Sequence, residues 1–441
     1  MNIKESKGLL IIILLAFFVR LIFGLFMLSK VNMQNLDWWN DDWCYIAYSR
    51  SIFNLDFIFN PENITQDYSD LPRDGSDVIA PGWPIIVAIL LKLSHSYTSI
   101  IIFNAIIGSL LTYLVYKLAF MCTNNNKISL FAALWQALYI LHIRISYRVL
   151  KEPFVSLLIL LIVLVAISNF KRVNLKALLL AFLITYLIHT DERYLVAIPF
   201  IFLGLWFVYH KSSLKLVIIS SILIILISVP WYIRNYNYYG RPVLITIRTN
   251  VITDKIFGYK TPYDPAIHYD IKLSKAEWDS LYNGQNISSI PLSMQEDIRE
   301  SISMGLKPRN FNMIEKIYYN TAALWRIANF HPTLLYPRYV RFGPSSIKHN
   351  LITIFQFGLL IPFFLIGSYI GFRNKNSIII LSLMIIIANW FIHAVLTYAI
   401  ERYRLPIDPL IIIVSFYGLN HLYLAYKEKK KLKDKKFTYE N

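Results

Sequence analysis

Charge is scarce in this chain. Of 441 residues, 16% are Asp, Glu, Lys or Arg and 56% are hydrophobic, and the mean hydropathy is +0.47. A soluble chain of this length carries more charge, and apolar runs as long as these point to membrane spans. Cysteine is nearly absent: Cys44 and Cys122 make neither a zinc pattern nor a disulfide framework. No P-loop, G-x-G-x-x-G, C-x-x-C or H-E-x-x-H motif occurs, so ATP hydrolysis, a Rossmann cofactor and a zincin site lack support. There is no internal repeat, and no low-complexity segment apart from the C-terminal tail. The net charge of +17 would suggest nucleic acid only if the bases clustered on a soluble domain. They sit instead in short connections and in the tail Lys427 to Lys436, a pattern that suits the cytoplasmic side of a membrane and its anionic lipids, with no nucleic-acid partner.

What is present is an all-α polytopic membrane protein of about ten transmembrane helices. Apolar stretches long enough to cross about 30 Å of hydrocarbon run over 8–28, 98–121, 128–143, 153–170, 174–190, 194–210, 214–233, 351–371, 377–399 and 407–426. Lys4 and Lys7 precede the first run as in a signal peptide, but no A-x-A-like site follows and Arg20 interrupts the run, which reads as a retained signal anchor. The apolar piece from Pro84 to Leu93 is too short for an ordinary span, so residues 82–95 read as a re-entrant or membrane-surface helix on the outer side. With that choice and the N-terminus inside, Lys171-Arg172, His210-Lys211, Arg373 to Lys375 and the Lys-rich tail all fall inside, as the positive-inside tendency asks. The organisation is then an N-terminal bundle over 1–233 with a first outer loop at 29–97. A long extracytoplasmic loop covers 234–350, C-terminal spans cover 351–426, and a cytoplasmic tail covers 427–441. Within the long loop, Ser274 to Glu277 and Ser293 to Glu296 match capping boxes, and a further helical pattern runs from about Asn312 to Phe330.

The same topology gathers acids and bases on the outer face. Asp41-Asp42 follows the first span, and two adjacent carboxylates there are costly unless paired, hydrated or bound to a cation. They fit a general base, a metal ligand or a solvated turn. Arg148-Val149-Leu150-Lys151-Glu152 opens the fourth span; its cations suit a lipid phosphate and Glu152 a second acid facing Asp41, or the group anchors the interface. In Asp191-Glu192-Arg193 an internal salt bridge is the simpler reading. Trp231 to Arg234 and the tyrosines after it suit the membrane interface, or stacking on a sugar or beside a prenyl chain. Glu401-Arg402-Tyr403-Arg404 enters the last span, as a phosphate-holding or a salt-bridged turn. Arg20, in the middle of the first span, either pairs with an acid inside the bundle or snorkels outward.

These pieces, in this order, resemble a polytopic glycosyltransferase of the GT-C class, in the branch of protein O-mannosyltransferases and aminoarabinose-lipid A transferases (glycosyltransferase family 39 in the broad sense). Asp41-Asp42-x-x-Tyr45 stands for that family's Asp-Glu pair, Ala80-Pro81-Gly82-Trp83-Pro84 for its Pro-Pro-Gly-Tyr-Pro, and Tyr147 to Pro153 for a Ser-Arg…Thr-Glu-Pro segment. Pro230-Trp231-x-x-Arg234-Asn235-Tyr236 and Arg402-Tyr403-Arg404-Leu405-Pro406 match closely, and Thr190 to Arg193 less well. Asp42 departs from the usual Glu, and the tail carries no large terminal domain of the oligosaccharyltransferase kind. The resemblance implies transfer of a sugar from a polyprenyl-phosphate donor to an acceptor hydroxyl on a lipid, glycan or protein, at the outer face of a bacterial or archaeal cell membrane, with inversion. It implies Asp41, Asp42 and Glu152 as catalytic acids and bases, and Arg148, Lys151, Arg402 and Arg404 as cations for the donor phosphate. Tyr45, Arg193, Arg234, Glu401 and Tyr403 become substrate contacts, and a divalent cation, if one is used, falls to Asp41 and Asp42. A transporter or flippase of lipid-linked sugars is the rival reading; no inverted repeat supports it, and the acids lie in outer loops. A scaffolding protein fits the clustered charges least.

One prediction is topological. Tags at the C-terminus and within 234–350 should report opposite faces of the membrane, because an odd number of spans separates them. Accessibility of both to an impermeant reagent from one side would dismantle the shared outer site.

Overall fold

The computed structural model describes residues 3–30, 42, 45–46, 48–49, 79–239, 243–246, 313–326, 351–396 and 401–440. The described residues form helices and the turns that join them, with no strand among them: α1 Ile3–Lys30, α2 Gly82–Ser94, α3 Thr98–Thr123, α4 Asn126–Ala137, α5 Ile140–Arg144, α6 Glu152–Ile167 and α7 Val173–Thr190. These are followed by α8 Ala197–Tyr209, α9 Ser213–Tyr239, α10 Met313–Leu324, α11 Leu360–Arg373, α12 Ser377–Trp390 and α13 Asp408–Glu440. Among the described residues, eight segments are long and apolar enough to cross a membrane, and the chain is an integral membrane protein.

α6 is the centre. It is apolar all round and buried from Glu152 to Leu160 and again at Ile162, Val163 and Ala166, as a helix surrounded by other helices must be. α3, α7, α12 and the first half of α13 pack against it. α1 and α9 lie at the periphery, with Ile11 and Ile225 about two-thirds exposed toward what would be lipid. Short loops make neighbours antiparallel, and their capping is local: Asn125 accepts from Ile128 N–H (3.4 Å) to start α4, and Asn376 from Ile378 and Ile379 N–H (3.1 and 3.2 Å) to start α12. α11 and α13 meet backbone to backbone at Gly367 and Gly418, where any Cβ would enter the facing main chain.

Three elements differ from the sequence reading. The run 128–143 is two helices, α4 and α5, broken at Leu138–Tyr139. The broken backbone is satisfied from elsewhere: Gln356 donates to Leu138 O (2.7 Å) and accepts from Ile140 N–H (2.7 Å), while Arg20 donates to Ala137 O (2.9 Å) and Gln136 O (3.0 Å). Arg20 therefore neither pairs with an acid nor snorkels; it caps the C-terminus of α4, where carbonyls lack helical partners. Gly108 leaves the room its guanidinium occupies. The run 153–170 stops at Ile167, a helix of 16 residues, or about 24 Å. The tail is no separate segment but the last turns of α13. Residues 82–95, read as a re-entrant or membrane-surface helix, contain the short helix α2, and α10 falls on the helical pattern at 312–330, though it ends at Leu324. The two capping-box segments lie outside the described residues.

Gly418→Ala or Gly367→Ala should destabilise the detergent-solubilised protein by about 1–3 kcal/mol, the usual penalty of overpacking. Gly8→Ala, where the nearest atom to a new Cβ is Leu130 Cδ1 at 3.9 Å, should leave the thermal midpoint in place. Equal midpoints for all three would mean that the α11–α13 contact is looser than described.

Candidate active site

The turn between α5 and α6 is held from three sides. From α3, Asn104 donates to Ser146 O (3.0 Å) and Arg148 O (2.9 Å). From α2, Trp83 Nε1 donates to Val149 O (3.1 Å), with its ring fully buried beside Phe103 and Phe154. Gly82 permits this, because a Cβ there would stand 2.7 Å from His189 O and from Thr190 Oγ1 at the end of α7. Tyr186 of α7 donates to Gly82 O (3.1 Å). The Ala-Pro-Gly-Trp-Pro motif thus locks the start of α2 onto the α5–α6 turn and the end of α7.

The third side is Asp42. Arg148 grips its Oδ2 through Nε (2.9 Å) and Nη2, and Val149 N–H donates to Oδ1 (2.6 Å). Asp42 and Arg148 are both buried. Asp42 is pinned here to the bundle, and Tyr45 and Ile46 lie in the core. Asp41 lies outside the described residues.

Because α6 and α7 are antiparallel neighbours, the start of one and the end of the other share an end of the bundle. Lys151, just before α6, lies 3.4 Å from Asp191 Oδ1 and 3.9 Å from Glu192 Oε2. Asp191 also receives a bidentate grip from Arg193, Nε to Oδ1 at 2.7 Å and Nη2 to Oδ2 at 2.6 Å. The internal salt bridge expected in this turn is present, with Lys151 added to it. Burial alone would raise the Asp191 carboxyl, but Arg193 and Lys151 outweigh it and hold the group well below the usual carboxylate range. Asp191 also accepts from Arg193 N–H (3.3 Å), which starts the 3-10 turn Glu192–Val196.

The segment 401–404 closes the group. Arg402 Nε lies 2.8 Å from Glu152 Oε1, and the second oxygen of Glu152 is buried with no hydrogen-bond partner among the described residues. The ring of Tyr403 gathers the cations: Arg193 lies 4.4 Å from its centroid, Arg402 lies 5.5 Å away, and His393 stacks on it at 4.7 Å. Asn389 donates to Tyr403 O (3.2 Å) and accepts from Tyr194 (2.8 Å), fixing the turn against α12. The side chain of Glu401 is outside the described set.

Arg404 stands apart. It is fully buried, donates to Asp408 Oδ1 (2.8 Å) and to Leu324 O (3.0 Å) and Arg326 O (3.3 Å), and lies over Phe357. It joins α10 to the start of α13. Arg234 stacks over Trp231 at 4.9 Å and donates to Asn235 Oδ1 (2.8 Å). Trp231 donates in turn to Ile245 O (3.0 Å) and meets His189 edge-on. Trp231 and Asn235 fold residues 243–246 back toward α9.

Sequence reasoning did not single out His393, Asn389 or Gln356. Asp408 was readable, since it lies four residues after Arg404 on a helical start; the other three carry no local signal. Among the described residues, no group of three or more His, Cys, Asp or Glu is arranged to hold a metal ion. Both oxygens of Asp42 already accept from Arg148 and Val149.

Asp42→Ala should destabilise the fold by about 3–5 kcal/mol, because it removes the buried carboxylate that Arg148 and the Val149 amide grip. The double variant Asp42→Ala/Arg148→Ala should lose less than the sum of the two single variants in a thermal-unfolding cycle. Simple additivity would show that the pair does not couple.

No protein-family model and no curated protein sequence matches this chain. Among solved structures it is similar to the archaeal oligosaccharyltransferase AglB from Archaeoglobus fulgidus, in complex with an inhibitory peptide and a dolichol-phosphate. The TM-score is 0.53 at 15% identity, covering 98% of this chain and 52% of that one. The chain therefore spans about half the length of that protein. The likeness shows the architecture: a GT-C-like, all-helical polytopic membrane fold.

Proposed function

We propose that this protein is a membrane glycosyltransferase, moving a sugar from a polyprenyl-phosphate-linked donor to an acceptor hydroxyl at the extracytoplasmic face, with inversion. The observation that carries this reading is the convergence of Lys151, Glu152, Asp191, Arg193, Arg402 and Tyr403, from three separate segments, at one end of the central helix of a membrane bundle. A layer of cations there is placed for a lipid phosphate whose chain lies among the helices. The structurally similar archaeal oligosaccharyltransferase is in complex with a dolichol-phosphate.

The chemistry follows from the charges. The acceptor oxygen attacks the anomeric carbon as its proton passes to a carboxylate, and the bond from that carbon to the phosphate oxygen breaks with its electron pair going to phosphate. Asp41 is the base in this reading. Asp42 beside it has its oxygens engaged by Arg148 and Val149, and serves to position the loop. Glu152 is the second acid, held by Arg402 on one oxygen. Lys151, Arg193 and Arg402 stabilise the charge that develops on the departing phosphate, through preorganised donors in a dry site. Arg148 and Arg404, bound to Asp42 and Asp408, hold the turns that carry those groups.

Purified protein supplied with radiolabelled polyprenyl-phosphate sugars should move label from lipid to an acceptor; movement of intact labelled lipid across a bilayer without transfer would instead identify a flippase. In the transfer assay, Asp41→Asn should lower turnover by roughly 10²–10⁴, the range for loss of a general base, with donor binding kept. Glu152→Gln tests the second acid in the same way. Near-normal turnover in Asp41→Asn would remove its role as base.

A further inference from the structure

Asp191 is engaged by two cations at once. Arg193 grips both its oxygens, and Lys151 stands 3.4 Å away. Those are two of the three cations placed around the ring of Tyr403 and the start of α6, the third being Arg402. Against them stand the carboxylates of Glu152, Asp191 and Glu192, so among the described ion pairs each of these cations faces a buried carboxylate. All three carboxylates are buried. A site whose only task was to grip phosphate would leave its cations in excess.

The charge of the ligand changes during transfer. A polyprenyl-phosphate sugar is a phosphodiester with a single negative charge. The lipid phosphate left behind is a monoester, with about −1.5 to −2 at neutral pH. Cations that stabilise the transition state hold this product more tightly than the donor, and the product must leave before the next turnover.

We propose that Asp191 is a charge-balancing residue that limits how tightly Lys151 and Arg193 retain the departing lipid phosphate; this rests on the glycosyl-transfer reading above. Glu192, farther from Lys151 at 3.9 Å, adds to the same balance. Asp191 is the stronger element because it contacts both cations and is ionised at neutral pH through their influence.

The test measures equilibrium binding of undecaprenyl monophosphate to the full-length protein in nanodiscs. Asp191→Asn keeps the shape and one acceptor oxygen but removes the charge. It should bind the monophosphate about tenfold tighter, as expected for loss of one repulsive charge in a partly screened site, and product inhibition of transfer should deepen. Lys151→Gln should bind it more weakly, and Asp191→Glu should remain close to wild type. If Asp191 served only to hold its turn, Asn would bind equally or more weakly, and that result in a monodisperse variant overturns the inference. Asp191→Ser carries the same expectation should Asn fail to insert. Absence of binding by the wild type would defeat the glycosyl-transfer reading itself, and this inference with it.

Discussion

The grip of Arg148 and Val149 on Asp42 is the tie on which the rest of this end of the bundle depends. Removing two charges from water costs several kcal/mol per ion, which a pair offsets only with good geometry and further hydrogen bonds. Here the geometry is bidentate on one oxygen, and a backbone amide serves the other. The turn that supplies both donors cannot drift, because Asn104 and Trp83 hold its carbonyls from α3 and α2. Two residues farther on stands Lys151, and then Glu152 at the first turn of the central helix, where a carboxylate is favoured by the helix dipole. One ion pair thus ties Asp42 to the turn that sets the origin of the charged layer.

A second constraint acts deeper in the bundle. Backbone groups away from water must be bonded internally, so a break in a buried helix has to be served by side chains from elsewhere. The break at Leu138–Tyr139 is served by Arg20 of α1 and by Gln356, which lies in the π-helical turn Ile354–Gly358. Phe357 in the same turn lies against Arg404, and His393 in the π-helical turn Phe391–Leu396 stacks on Tyr403. Both π turns therefore place a side chain against the Glu401–Arg404 segment. That matches the tendency of π-bulges to sit at functional positions, where the extra residue re-aims side chains.

The sequence carried the helices well and the long-range pairs poorly, for a physical reason. Apolar runs of about twenty residues have one outcome in a bilayer, so α1, α3, α7, α8, α9, α11, α12 and α13 were readable as spans. The pairs Asp191–Arg193 and Arg404–Asp408 were also within reach, because two- and four-residue spacings bring such groups together. Nothing local could show that Arg148 meets Asp42 from 106 residues away, or that Glu152 meets Arg402. The fate of Arg20 was hidden for another reason. Its partners are carbonyls, present at every residue and freed only where a helix stops. The break itself has no Pro or Gly to announce it; tertiary partners make it possible.

The pairing pattern bears on the choice between an enzyme and a transporter. Alternating access requires a site with two arrangements, and charges held by few partners move most readily between them. Here Asp191 and Tyr403 are each engaged by partners from more than one segment, and Asp42 by two neighbouring donors of one turn that Asn104 and Trp83 brace through its carbonyls. To move any one of them would expose a buried charge of another, at the cost of several kcal/mol. Such a layer is hard to rearrange and easy to keep in register. Fixed dipoles aimed where charge develops are the feature that makes an active site faster than water. Under the proposed glycosyl transfer, the same rigidity would leave the sugar, the acceptor and the prenyl chain as the parts that move past a charged layer of constant geometry.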